Sequence, residues 1–115
     1  MVTSATSLGR SGLHDWIIQR VSAVVLAAYI IYLAAFVFSA GSLDFTTWHA
    51  LFAQTWFKIF SLLAIASLSF HAWIGMWIVS TDYIKPTGLR MIFQVLVILA
   101  CFAFLIWGAQ ILWSV

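Results

Sequence analysis

The sequence predicts an all-α membrane protein with three transmembrane helices, and two features of the chain predict this fold class. Hydrophobic residues make up 65% of the 115 residues and charged residues only 7%, against about 25% charged residues in a typical soluble domain. The few charges leave three uncharged runs, 21–43, 59–81 and 91–115. Each run is long enough to cross a bilayer, for which about 20 residues suffice.

The three predicted spans cover approximately residues 17–39, 58–80 and 90–113 of a single domain, 1–115, with little chain outside the membrane. This composition excludes a soluble domain, and the formal charge of +2 is too small to indicate a nucleic-acid partner. The one cysteine, Cys101, lies midway along the third span. It has no intrachain disulfide partner, so we expect it to serve packing.

The distribution of basic residues predicts the orientation of the chain in the membrane. Four of them flank one side of the predicted spans and one flanks the other; the four are Arg10, Arg20, Lys85 and Arg90, and the one is Lys58. Short loops rich in Lys and Arg stay on the cytoplasmic side of a membrane. The N-terminus is therefore expected in the cytoplasm and the C-terminus in the periplasm.

The first span follows a polar N-terminal segment. Residues 1–15 lack the apolar stretch of a cleavable signal peptide, and residues 1–12 are expected to be extended or loosely ordered. Asp15 is placed to match the positive end of the first helix, and Trp16 to anchor it in the membrane interface. Arg20 lies just inside the apolar run, where its side chain either snorkels to the headgroups or pairs with an anion inside the bundle.

The segment 45–57, between the first and second spans, is predicted to form a short helix in the outer membrane interface. One face of such a helix carries four apolar side chains, those of Trp48, Leu51, Phe52 and Trp56. His49 falls on its polar side and is assigned no ligand role.

The loop 80–90 joins the second and third spans and is the most polar part of the chain. Pro86 and Gly88 are expected to interrupt the helix and form a turn. Asp82 and Tyr83 lie near the start of this loop, and the sequence allows two roles for them. They are either an interfacial salt-bridge partner and a tyrosine of the aromatic belt, or groups that contact a lipid-soluble ligand, since a phenol donates well to a carbonyl.

His71 lies inside the second apolar run, 59–81, which contains no charged residue. A polar ring in hydrocarbon is costly unless it is paired or bound to something. In a helix His71 shares a face with three small residues, Ala64, Ser67 and Gly75, which let another helix approach closely or leave room for a flat ring. The histidine therefore either hydrogen-bonds a neighbouring helix or acts as an axial ligand to haem iron, with the second ligand supplied by another chain.

Three segments of the chain resemble one known family. They are LGRSGLHDWIIQR near the N-terminus, HAWIGMW in the second span and TDYIKP directly after it. His71 followed by Gly75 and then by the pair Asp82 and Tyr83 is a fairly specific spacing on the second of three spans. Over essentially its whole length the sequence is similar to the hydrophobic membrane anchor (D subunit) of bacterial succinate dehydrogenase, of the enterobacterial type.

The resemblance implies that the chain is a multi-pass subunit of a four-chain complex in the bacterial inner membrane. In that family a flavoprotein with FAD oxidises succinate and an iron-sulfur subunit carries the electrons. Two three-helix anchors, the second of the cytochrome b556 type, pack together and hold haem b and a ubiquinone site. The chain would then be a non-catalytic anchor without succinate chemistry of its own.

The resemblance also implies roles for particular residues. His71 corresponds to the anchor's axial ligand to haem iron, and the other histidine comes from the partner anchor. Tyr83 and Asp82 correspond to residues of the ubiquinone site, with the Tyr83 hydroxyl bonded to a quinone carbonyl. Arg20 and His14 correspond to residues near the haem propionates.

Two other classes of protein fit parts of the pattern. Cytochrome b subunits of other membrane dehydrogenases, such as hydrogenase or formate dehydrogenase, are larger and supply both haem ligands themselves, whereas the predicted spans here contain one histidine, His71. A small non-redox bundle, such as a transporter, usually carries a carboxylate in mid-span. The acidic residues here, Asp15, Asp44 and Asp82, lie at the ends of the predicted spans.

Overall fold

The computed structural model describes residues 12–115, and this part of the chain is all-helical. Its helices are α1 (Gly12–Ser39), α2 (Phe45–Ala53), α3 (Thr55–Tyr83) and α4 (Thr87–Trp113). α1, α3 and α4 contain 28, 29 and 27 residues and are long and apolar enough to cross a membrane, which confirms the three predicted spans. Each is about 40 Å long, so it exceeds the roughly 30 Å of bilayer hydrocarbon and reaches the headgroups.

The long helices extend beyond the predicted spans at ends that carry polar residues. α1 begins at Gly12, the last residue of the segment that was expected to be extended, and α3 begins at Thr55 and continues to Tyr83. A helix satisfies its backbone groups within its own segment, which favours continuing it through the interface. The conformation expected for residues 1–11, and the position of Arg10, lie outside the described residues.

The short helix between α1 and α3 is confirmed, but it ends earlier than predicted. Asp44 caps its N-terminus, since the carboxylate accepts a hydrogen bond from the Thr47 backbone N–H at 2.8 Å. The backbone becomes extended at Gln54, with φ −76° and ψ 129°. Trp56 therefore belongs to α3, and the predicted apolar face is divided between two helices.

The turn between α3 and α4 is built around proline. Pro86 has an extended backbone and directly precedes α4, where its missing N–H breaks no helical hydrogen bond. Gly88, which was expected to interrupt the helix, instead lies in the first turn of α4.

α1 and α3 pack in an antiparallel arrangement. Ser22 Oγ lies 3.0 Å from His71 Nδ1, and Tyr29 Oη lies 2.6 Å from Ser61 Oγ. Residue numbers thus rise along α1 as they fall along the facing side of α3. Every substantial contact between helices within residues 12–115 involves α3, which is the central element of the fold.

α3 and α4 are also antiparallel. Gln94 Nε2 donates to Ser80 Oγ at 2.9 Å, and Cys101 Sγ donates to the Ser69 backbone carbonyl at 3.6 Å. Cys101 is a free thiol in this interface, in agreement with the packing role predicted for it.

The antiparallel helices collect the polar residues at one end of the bundle. The start of α1, the end of α3 and the start of α4 meet there, and among the described residues these segments carry Asp15, Arg20, Asp82, Lys85 and Arg90. Asp44 and Lys58 belong to the opposite end, where Lys58 Nζ lies 3.4 Å from the backbone carbonyl of Val115. The fold thus keeps the unequal division of charge from which the sequence predicts orientation.

Most large apolar side chains in the described part of the chain face outward. The buried hydrophobic side chains are those of Leu51, Phe57, Ala64, Ile74 and Leu112. The exposed ones are spread along all three long helices. In a membrane these outer faces require lipid or other transmembrane helices as neighbours.

Candidate functional site

His71 lies within the central helix α3 and faces α1. It is half-buried, and its Nδ1 lies 3.0 Å from Ser22 Oγ, which is only 4% exposed. The same Ser22 Oγ lies 3.1 Å from the Gln19 backbone carbonyl. The hydrogen bond to a neighbouring helix that the sequence allows for His71 is therefore formed within this chain.

This hydrogen bond uses one of the two imidazole nitrogens. Within the described residues His71 makes one hydrogen bond, through Nδ1. Its other ring nitrogen, Nε2, is therefore left to bind a further ligand. No group of three or more His, Cys, Asp or Glu side chains within residues 12–115 is placed to hold a metal ion. The described chain can thus offer one imidazole to a metal shared with another chain, as a haem axial position requires.

The small residues on the His71 side of α3 differ in their surroundings. Ala64 is 5% exposed and lies inside the bundle. Gly75, one turn beyond His71 toward the polar end, is different, since a Cβ added there would meet no atom within 4 Å. The face next to His71 therefore has open space, which suits a flat ring or a close-packed partner helix.

Asp82 and Tyr83 form the last residues of α3 and both are exposed, Tyr83 to 79%. Because α3 continues through Asp82, this carboxylate stays on the His71 face, about three helical turns and 17 Å further along the axis. Asp82 makes no ion pair with Lys85 or Arg90. The structure does not bring Asp82 and Tyr83 into contact with His71; they form a second polar site at the end of the bundle.

Arg20 and His14 lie near the start of α1. The Arg20 guanidinium carbon lies 5.3 Å from the centre of the Trp16 ring, a cation–π contact. Arg20 points about 200° around α1 from Ser22, so the structure does not bring it to His71. His14 Nδ1 lies 3.7 Å from Asp15 Oδ1, beside a carboxylate that is largely buried. Their role at the propionates stays a prediction.

Ser22 is the residue of this site that the sequence reasoning missed. It is a small polar residue in an apolar span, and seven-residue spacing places it on one face of α1 with Asp15 and Tyr29. This polar periodicity was a usable signal for the side of α1 that faces α3. The sequence carries no such signal for the pairing of Ser22 with His71, because the two residues are far apart along the chain.

Comparison with known proteins gives matches over most of the chain. A family model described as the succinate dehydrogenase/fumarate reductase transmembrane subunit matches residues 2–107. The succinate dehydrogenase hydrophobic membrane anchor subunit of Coxiella burnetii is 36% identical over 104 residues, which cover 90% of each chain. The subunit of the same name from Rickettsia typhi is 30% identical over 99 residues, which cover 86% of this chain and 79% of that one.

The match to the family confirms the resemblance seen in the sequence motifs, while the enterobacterial type stays a prediction. A further relative, the anchor subunit of Rickettsia prowazekii, is 30% identical over 96 residues, or 84% of this chain. Together with the three apolar helices, these matches identify a multi-pass protein of the bacterial inner membrane. The chain belongs to the succinate dehydrogenase/fumarate reductase transmembrane subunit family.

Proposed function

We propose that this anchor subunit serves a succinate:ubiquinone oxidoreductase, in which His71 is one axial ligand to haem b and Tyr83 and Asp82 belong to the ubiquinone site. The observation that carries the proposal is the position of His71 and the hydrogen bonding of its ring. Its imidazole lies within a long apolar helix, with Nδ1 engaged by a neutral hydroxyl and Nε2 left for another ligand.

The surroundings of His71 suit a haem ligand. An axial ligand must be a neutral imidazole, and His71 lies on an apolar helix that is long enough to cross a membrane. The open space at Gly75 leaves room beside the ring. When bound, haem b supplies one-electron redox chemistry; the role of this chain is to hold the imidazole and exclude water.

The partners follow from what the described chain lacks. One imidazole leaves the second axial position to a histidine of another subunit, which we take to be a second three-helix anchor of the cytochrome b556 type. This anchor and lipid would cover the exposed apolar faces of the bundle. The iron-sulfur subunit, with its clusters, and the flavoprotein, with FAD, would dock at the polar end.

The proposed ubiquinone site lies at the polar end of the bundle. The exposed phenol of Tyr83 is available to donate a hydrogen bond to a quinone carbonyl, and the adjacent carboxylate of Asp82 can accept or release a proton. By the positive-inside rule, the basic residues Arg20, Lys85 and Arg90 support a cytoplasmic location for this end, which would leave the C-terminus in the periplasm.

The haem assignment is tested by replacing His71 in the four-subunit complex. His71→Leu should shift the reduced-minus-oxidised haem spectrum and lower haem occupancy or midpoint potential, because one iron bond is lost. His49→Leu is the matched control, since His49 is an exposed histidine of α2 to which we assign no ligand role. If the spectrum and potential of the His71→Leu complex equal those of the parent, His71 is a packing histidine and the proposal is wrong.

Assembly gives an independent test of the shared ligand set. The chain expressed alone should bind haem poorly, and co-expression with its partner anchor should restore a low-spin b-type spectrum. A stable six-coordinate haem in the isolated chain would contradict the two-chain arrangement and favour a cytochrome that supplies both ligands itself.

A further inference from the structure

Ser22 connects the two helices at the level of His71. Its hydroxyl oxygen lies 3.0 Å from His71 Nδ1 and 3.1 Å from the Gln19 backbone carbonyl, and the residue is 4% exposed. Buried in this way, the serine is shielded from water that would otherwise compete for either contact.

The two contacts together assign the protons. A serine hydroxyl has one proton to donate, and a backbone carbonyl can only accept. The Ser22 O–H therefore donates to the Gln19 carbonyl, and its oxygen accepts from His71 Nδ1–H. This assignment gives the tautomer in which Nε2 carries the lone pair.

We propose that Ser22 is a positioning residue for His71, which fixes the tautomer and ring orientation that haem ligation at Nε2 requires. This inference rests on the proposed function, because it assigns to Ser22 an effect on the iron through the ligand. A ligating histidine usually donates its other ring N–H to an acceptor, which orients the ring and makes it a better electron donor. In this chain the acceptor comes from α1, whereas the ligand His71 lies on α3. The packing of α1 on α3 therefore determines the orientation of the imidazole ring.

The effect on the haem has a definite sign. Without an acceptor for Nδ1–H, the imidazole is a weaker electron donor and the ferric state loses stabilisation relative to the ferrous state. Removing the Ser22 hydroxyl should therefore raise the haem midpoint potential. Haem affinity should also fall, by about 10-fold, the low end of the range for second-shell partners.

The experiment uses four substitutions in the complete complex: Ser22→Ala, Ser22→Val, Ser22→Thr and, as control, Ser61→Ala. Thr and Val have nearly the same shape, so this pair separates the hydroxyl from packing. Ser61→Ala removes a second α1–α3 hydrogen bond, to Tyr29, without touching His71. The measurements are the haem midpoint potential, the electron paramagnetic resonance g-values of the ferric haem, and haem retained per complex.

We expect Ser22→Ala and Ser22→Val to raise the potential and change the g-values, while Ser22→Thr and Ser61→Ala stay near the parent. The proposal is wrong if Val and Thr behave alike, if Ser61→Ala gives the same shift, or if all Ser22 variants keep the parent potential. Loss of assembly in every Ser22 variant, Thr included, would also contradict it.

His71→Leu separates this failure from failure of the proposed function. If His71→Leu alters the haem and the Ser22 variants do not, His71 is the ligand and Ser22 has no positioning role. If His71→Leu leaves the haem unchanged, the ligand assignment itself is wrong, and the Ser22 proposal is wrong with it.

Discussion

Gln94 Nε2 donates a hydrogen bond to Ser80 Oγ at 2.9 Å, and this contact joins the end of α3 to the start of α4. Ser80 has no exposed surface, and its own hydroxyl donates to the Trp77 backbone carbonyl at 2.9 Å. The contact lies within one turn of Asp82 and Tyr83. It therefore holds in place the helix end that carries the proposed ubiquinone site.

Replacing Gln94 should weaken this connection. Gln94→Leu removes the donor but keeps a side chain of similar size, so we expect a loss of about 1 kcal/mol, typical of a neutral hydrogen bond. Thermal unfolding of the purified complex measures it. Gln110→Leu is the control, because Gln110 is an exposed glutamine at the opposite end of α4. Equal unfolding midpoints for the two variants would show that the Ser80 contact contributes nothing.

A second interhelical hydrogen bond, between Tyr29 and Ser61, should stabilise the other half of the α1–α3 interface. Tyr29→Phe removes the hydroxyl but keeps the ring, which stacks on Phe57 at 5.6 Å between centroids. We expect a loss of about 1 kcal/mol, because Ser61 is 2% exposed and has no water to replace the lost partner.

The matched control for this prediction is Tyr32→Phe. Tyr32 packs in the same aromatic cluster, 5.7 Å from the Phe57 ring, and no hydrogen bond involves its hydroxyl within the described residues. A double-mutant cycle of Tyr29→Phe with Ser61→Ala should show coupling of the same size. Additive effects would mean that the two hydroxyls do not interact.

At Tyr83, function should separate from stability. Tyr83 is 79% exposed and its hydroxyl has no partner within the described chain, so Tyr83→Phe should leave folding and haem content unchanged. If the hydroxyl donates to a quinone carbonyl, its loss removes a contact typically worth about 0.5–1.5 kcal/mol, or roughly 2- to 10-fold in ubiquinone reduction.

Two activities measured on the same membranes test the Tyr83 prediction. Succinate oxidation by a dye that accepts electrons before the quinone site should persist, while ubiquinone reduction should fall. A tyrosine that only anchors the helix end in the interface predicts unchanged ubiquinone turnover, and that outcome would remove Tyr83 from the site.

The N-cap of α2 should respond to pH. The Thr47 backbone N–H, by donating to the Asp44 carboxylate, holds the pKa of this carboxyl below its ordinary value. A lowered folded-state pKa means that the cap contributes its full stabilisation above the ordinary carboxyl pKa of about 4 and loses it as the pH falls through the lower folded value. Asp44→Asn keeps a neutral acceptor, so its unfolding midpoint should lack this acid-dependent component. Parallel pH profiles for parent and variant would show that the ionised Asp44 carboxylate contributes nothing to the stability of the cap.

The sequence by itself determined the number and type of the membrane spans and the end of the bundle that is polar. Both depend on composition along the chain, since an apolar run of sufficient length must be a helix in lipid whatever its neighbours are. The candidate residues His71, Asp82 and Tyr83 were also found this way, because a polar group stands out against an apolar run. The C-terminal end of α2 and the start of α3 were not found, because residues 45–57 form one apolar pattern and the backbone breaks inside it at Gln54.

Only the tertiary structure decided which side chains meet. Ser22 and His71 are separated by 49 positions in the chain, and their contact depends on the rotation and register of α1 against α3. The polar spacing along α1 indicates which side faces α3, but the register is set by the packing of many side chains at once, which no local periodicity encodes. The same reason explains why the sequence did not predict the pairing of Gln94 with Ser80, which joins two helices at the polar end.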